Sequence, residues 1–316
     1  MPARRAILAA ALVLAGAVTG ACSVGAGDSD PAGATLTVTR DFGRDVLLER
    51  RADEVADGET VMRFLQRSGE VDTGYGGRFV DAIEGLRSGS RQGERRDWFY
   101  YVNGIEADTG AAEQEVAGGD RVWWDYRDWS VAMRVPAVVG SFPEPFLHGA
   151  DGKRFPVRID CAPDAADQCA EVSRRLQRAG VAPSTAALGS QAGDELLRVV
   201  VGRWEEVRRD NASRELEDGP AKTGVFARLG RGPAGFAIDV LDAQGRPVET
   251  LAAGSGIVAA TRFEEQQPTW TVSGTDEAGL DRAVRLIDAR ILRNRYAVAA
   301  TADRALPLPA SGERAR

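Results

Sequence analysis

At 316 residues the chain is long enough for roughly two domains of ordinary size. An apolar fraction of 43%, with no interior run long enough to cross a bilayer, predicts a folded bulk in water. A net charge of −7 argues against a general nucleic-acid binder, and the bias of cations toward Arg, with Lys only at Lys153 and Lys222, fits a GC-rich genome.

"MPARR" gives a positive start and "AILAAALVLAGAV" a short apolar segment that ends at small residues. With "TGAC" behind it, residues 1–21 resemble a bacterial lipoprotein signal in which Cys22 becomes the lipid-bearing first residue, although Thr19 stands where Leu is usual. An ordinary signal peptide with an incidental Cys is the alternative. Cleavage removes Arg4 and Arg5 and takes the net charge from −7 to −9. Residues 22–35 are small and polar, a flexible tether from the membrane.

From Leu36, "TLTVTRDF", a "GRD" turn and "VLLERR" predict a β-hairpin. A helix follows on Val61, Phe64 and Leu65, with Asp57 or Thr60 as cap and Gly69 beyond its end. "GRFVDAIEGL" predicts a strand, "WFYYVNGIEA" a strand with an Asn103-Gly104 hairpin turn, and "AGGDRVWWDYRDW" a last strand. The order ββαβββ over residues 36–134 suits a β-grasp-like sheet with one covering helix. A Pro-rich linker is expected at 135–156, then a mixed α/β domain over 157–303 and a disordered tail at 304–316, so the fold class is α+β. In the second domain, Val157–Asp160 is expected as a strand, Ala165–Ala179 as a helix, "ELLRVVVG" as a buried strand and "RWEEVRRD" as a helix. "GVFARL", "GFAIDVLDAQGRPVETL" and "GIVAATRF" read as one β-meander. "TWTVSG" leads into a helix capped at Thr275 with Leu280, Ala283, Val284, Ile287 and Ile291 buried, and "RYAVAA" closes as a strand.

With Cys22 assigned to lipid, Cys161 and Cys169 remain, and an even pair in an exported chain predicts a disulfide across "CAPDAADQC". The single histidine, His148, argues against a histidine-based metal site and against a Ser-His-Asp triad. "LGRGPAG" and "AAGSGIVAA" contain no Walker lysine and fit hairpin turns. "GTDEAGLDRA" opens a helix whose own Asp276 and Glu277 complement the dipole. The adjacent pairs Glu205-Glu206 and Glu264-Glu265 face different ways and do not converge as a hydrolase dyad must. A binding protein without catalytic residues or a resident cofactor is therefore the expected class.

Eight of the chain's 21 aromatic residues fall between Trp98 and Trp129. Alternation puts Trp98, Tyr100 and Val102 on one face of a strand and Phe99 and Tyr101 on the other. On the next strand it places Val122, Trp124 and Tyr126 opposite Trp123 and Asp125. One face must pack on the helix of Phe64 and Leu65. The second is expected to be a docking surface for a flat ligand or a partner.

The segments "GETVMRFLQ", "YGGRFVDAIEGL" and "WFYYVNGIEADTGAAEQEVAGGDRVWWDY" resemble the domain that closes transcobalamin and intrinsic factor, and its bacterial relatives. The resemblance covers about 36–129 and implies a β-rich domain that caps cobalamin, with Tyr75, Phe79, Trp98, Tyr100, Tyr101, Asn103, Trp124 and Tyr126 as ligand contacts. It further implies a surface lipoprotein serving corrinoid uptake through an energy-coupling-factor type transporter. Two features depart from the carriers: no (α/α) barrel precedes the domain, and no free histidine is well placed to ligate cobalt. An adhesion module for protein or glycan in the cell envelope is the alternative function.

Overall fold

The aromatic run Glu94–Val102 folds as one long strand that pairs along its length with Arg121–Asp128. A computed structural model describes residues 29–311 apart from 31, 92, 234 and 265. The expected signal segment 1–21, Cys22 and the end of the tail from 312 lie outside the described residues.

In the N-terminal half, β1 (Ala34–Arg40) and β2 (Asp45–Ala52) form the predicted hairpin. Helix α1 (Val61–Ser68) starts where Thr60 takes an extended conformation and its hydroxyl accepts from the Arg63 N–H at 3.3 Å, which settles the cap in favour of Thr60. The hairpin of β3 (Val71–Gly74) and β4 (Phe79–Ile83) follows, then β5 (Glu94–Val102) and β6 (Arg121–Asp128). The six-stranded main sheet contains the order β5-β6-β1-β2, with Gly89–Arg91 and Ile105–Glu106 also pairing with β5; β6 runs parallel to β1 and the other pairs are antiparallel. A first and last strand paired in parallel at the centre, with one helix on one face, is the predicted β-grasp arrangement.

The C-terminal half is built on a seven-stranded sheet. β7 (Val157–Cys161), β8 (Ser184–Ala187), β9 (Leu197–Arg203) and β14 (Thr269–Gly274) make its parallel part in the order β8-β7-β9-β14. β13 (Gly256–Thr261), β15 (Ala297–Ala300) and β16 (Ala305–Leu308) extend it antiparallel. Helices α2 (Ala166–Arg178) and α3 (Glu277–Arg285) cover one face through Val172, Leu176, Leu280 and Ala283. A three-stranded meander, β10 (Ala227–Gly232), β11 (Gly235–Leu241) and β12 (Pro247–Leu251), covers the other. Every residue of β13 and β14 is buried, as expected of strands covered on both faces.

Several expectations are corrected. "GIVAAT" does not continue the meander but enters the large sheet between β14 and β15, because its unbroken apolar character suits a doubly covered strand. The tail is ordered from its start: β16 pairs with β15 and carries Pro307 on the sheet edge, where a missing N–H is tolerated. The tether contains a short strand, Ser29–Asp30, paired with Val55–Ala56. Residues 135–156 are not an exposed linker, since Val135, Val138, Val139, Phe142 and Phe146 are all buried. "RWEEVRRD" contributes only one helical turn, Trp204–Val207. Asp276 rather than Thr275 caps α3, accepting from the Gly279 N–H at 2.8 Å. That helix stops at Arg285, and Asp288 caps a separate turn that buries Leu292 and leaves Ile291 exposed.

The predicted disulfide joins Cys161 at the end of β7 to Cys169 on α2, with 6.1 Å between Cα atoms. Closing so short a loop removes about 2.5 kcal/mol of unfolded-state entropy. The double substitution Cys161→Ser with Cys169→Ser should lose about that stability in urea denaturation, and wild type under reductant should match it.

Candidate functional site

Strands β5 and β6 pair Trp124 with Tyr100, Tyr126 with Trp98 and Trp123 with Tyr101 directly across. On the first face Tyr100 stacks on Trp124 at 4.8 Å and Trp98 lies 5.1 Å from Tyr126. This face meets Phe64 and Leu65 of α1, and Trp98, Tyr100 and Trp124 are buried there. Backbone carbonyls take up three of the polar ends: Tyr100 donates to Thr109 at 2.7 Å, Trp98 to Leu86 at 3.0 Å and Tyr126 to Arg87 at 2.8 Å, while the buried Trp124 Nε1–H has no partner among the described residues. Burial pushes the Tyr100 hydroxyl up to about 12, so it stays neutral.

The second face is buried as well. Tyr101 and Trp123 pack against Tyr296 of the C-terminal half, with ring centroids at 5.9 and 5.5 Å. Phe42, in the turn between β1 and β2, lies edge-on to Phe226 at 4.9 Å and to Tyr296 at 5.2 Å. Beneath these rings sits Asp125, wholly buried. One of its oxygens accepts from the Thr39 hydroxyl at 2.6 Å and the Gly43 N–H at 3.0 Å. The other accepts from the Phe42 N–H at 3.1 Å and the Tyr296 hydroxyl at 2.8 Å. Burial raises the Asp125 carboxyl above its usual range despite these donors. Arg127, on the same face, is also wholly buried: its guanidinium lies 3.7 Å from the Phe99 ring centroid and donates to Ala132 and Met133 carbonyls.

The structure therefore separates the residues expected to gather at one site. Trp98, Tyr100 and Trp124 belong to the α1 core, and Tyr101 to the core shared with the C-terminal half. Asn103, at φ 54°, is the turn residue; its side chain binds Asp120 and the Gly149 carbonyl and accepts from the Arg121 N–H. Tyr126 keeps partial exposure. Tyr75 and Phe79 stand apart at the β3–β4 tip, 88% and 47% exposed and edge-on at 6.3 Å. Tyr75 has φ 49° and is followed by Gly76 and Gly77, both left-handed, so the backbone lifts the ring away from the sheet. The free aromatic face expected from alternation is thus corrected: the C-terminal half covers it.

Asp125, Tyr296 and Arg127 were not singled out from sequence. A signal existed for Asp125, a carboxylate placed by alternation on the same face as Trp123 and Tyr101. Among the described residues, no group of acidic, histidine or cysteine side chains is placed to hold a metal.

Residues 58–128 match a family described as a domain of unknown function (DUF4430). The match runs from just before α1 to the end of β6 and so contains the tip and both aromatic strands, but not β1 or the C-terminal half. No curated protein matches the chain.

Tyr296→Phe removes one donor from a buried carboxylate and should cost about 1–3 kcal/mol in urea unfolding. Tyr75→Ala touches an exposed ring and should stay within about 0.5 kcal/mol of wild type in the same measurement.

Proposed function

We propose that this chain is an exported lipoprotein, held by Cys22 on the outer face of the cell membrane, that binds a corrinoid-class ligand and hands it to an uptake transporter of the energy-coupling-factor type. The observation that carries the reading is the exposed Tyr75–Phe79 pair at a glycine-built hairpin tip. It lies within the part of the chain that resembles the cobalamin-capping domain. Rings this exposed gain free energy only when something flat and apolar covers them. In this reading Tyr75 and Phe79 make the contact, with Tyr126 the next most accessible, while Trp98, Tyr100, Tyr101, Asn103 and Trp124 keep the strands that support the hairpin rigid.

A second reading follows from the same tip. Two protruding rings cannot enclose a ligand alone, so the opposite wall comes from a partner, and a protein or glycan of the cell envelope is the competing occupant. Equilibrium dialysis against cyanocobalamin separates the two. Corrinoid binding predicts retention with a dissociation constant of tens of micromolar or below, about −6 kcal/mol or stronger. It also predicts a loss of about tenfold in the Tyr75→Ala and Phe79→Ala variants. No retention in that range sinks the corrinoid reading, and tip-dependent crosslinking to an envelope component would then favour the adhesion reading.

Anchoring has its own test. Cys22→Ser should move the chain from the membrane fraction to the soluble one, and a variant that stays membrane-bound would overturn the lipid assignment.

A further inference from the structure

The turn that delivers Phe42 to the interface also brings two arginines together. Gly43 has φ 75°, and a Cβ there would lie 2.0 Å from the Asn294 carbonyl oxygen, so the turn rests directly on the backbone of the 294–296 segment. Its neighbour Arg44 and the next residue of that segment, Arg295, line one cleft of about 650 Å³. Arg295 is half-buried and Arg44 is exposed at the mouth.

Other partly buried arginines have a carboxylate or a backbone carbonyl beside them, as Arg121 donates to the Phe142 carbonyl at 2.9 Å and Arg282 to that of Gly254. Arg96 reaches Asp41 at 2.6 Å and Glu94 at 2.9 Å, and Arg158 and Arg198 share Asp160 at 2.6 and 2.7 Å. Among the described residues, neither the Arg44 nor the Arg295 side chain has a hydrogen bond or an ion pair. Burial, and then the like charge of Arg44, push the Arg295 guanidinium below its ordinary value. An arginine keeps its proton even so, and its charge persists. Arg304, in the same cleft, is already neutralised by Glu249 through contacts of 2.6 and 2.8 Å. Among the described residues the cleft therefore holds two positive charges without a counter-charge, beside apolar walls that include Val248 and Leu306.

We infer that this cleft binds a small molecule that carries a phosphate or carboxylate on an apolar body, with Arg44 and Arg295 clamping the anion and Val248 and Leu306 contacting the body. Guanidinium forks suit both oxyanions, and the volume suits a ligand of ordinary metabolite size. This site is separate from the hairpin tip and stands or falls independently of corrinoid binding.

Thermal melting and titration calorimetry on the mature full chain in low-chloride buffer test it, with phenyl phosphate, benzoate and inorganic phosphate as probes. At least one of the two aromatic anions should raise the melting temperature saturably and bind more tightly than inorganic phosphate. Arg44→Ala should weaken that binding about tenfold or more. Arg295→Leu should abolish it and, because an unpaired half-buried charge is removed, should melt higher than wild type without ligand. Three results would each overturn the assignment: no saturable response to either aromatic anion up to about 10 mM; the same response in both variants; or an Arg295→Leu chain that melts lower than wild type unliganded, which would reveal an internal counter-charge.

Discussion

The carboxylate of Asp125 holds the two halves of this molecule in register. Two strands rich in adjacent aromatics must bury both of their faces, and a single helix can cover only one. The C-terminal half covers the other through Phe226 and Tyr296, and the contact is specific because a charge lies inside it. A wholly buried carboxylate is tolerable only when its lone pairs are satisfied. Asp125 has four donors: two backbone N–H groups from the β1–β2 turn, one hydroxyl from β1, and one hydroxyl from across the interface. The last comes from Tyr296, whose phenol is held far above its ordinary value by burial, then by Asp125, and so stays a donor. Apolar packing alone would allow the halves to slide. The Tyr296 bond fixes one alignment.

That constraint redirects the functional reading. The face that alternation offers a ligand is occupied by the chain's own second half, and the aromatic strands act as a keel. Residues 135–156 strengthen the point. Val135 and Val138 join the core shared between the halves, while Val139, Phe142 and Phe146 join the core beneath α2 and α3. A segment that contributes to two cores cannot act as a flexible spacer. Across the junction Asp108 adds a charged clasp, accepting from Arg262 at 3.0 Å and bonding Arg134. Accessible features remain at the rim, among them the β3–β4 tip and the arginine cleft.

Much of this architecture is legible from residue order. Alternation places the strand faces correctly, Asn103-Gly104 is a turn with both residues left-handed, Thr60 caps α1, and the cysteine pair closes its loop. These are local signals, set by residues within a few positions of one another. The partner of the second aromatic face is not a local property. Phe42 and Tyr296 meet across more than 250 residues, and nothing in either segment's pattern names the other. The same holds for "GIVAAT", whose composition shows that it is buried but not beside which strand. Proline content misleads in 135–156 and in the tail, because the burial of the apolar residues between those prolines and the pairing of the edge strand are set by tertiary packing. Asp125 was the readable warning. A charge on an aromatic face requires donors, and one exposed sheet face does not supply them in number.

The two charge situations at this junction are opposite, and they lie within a few residues of each other. Phe42 and Gly43 give their N–H groups to Asp125, completing its shell, while Arg44 next to them lines a cleft with Arg295, neither having a counter-charge among the described residues. Tyr296 satisfies the carboxylate, while Arg295 beside it is left half-buried and, among the described residues, unpaired. Packing needs do not produce that asymmetry, since a leucine or glutamine at 295 would line the same wall without the desolvation of a fixed charge. A fold that satisfies every lone pair of one buried ion can satisfy another nearby. Where it leaves a charge open toward a cleft, the missing partner is most simply one that arrives from solution, and the stability forgone at 295 is the form a binding function takes in an otherwise compensated interface.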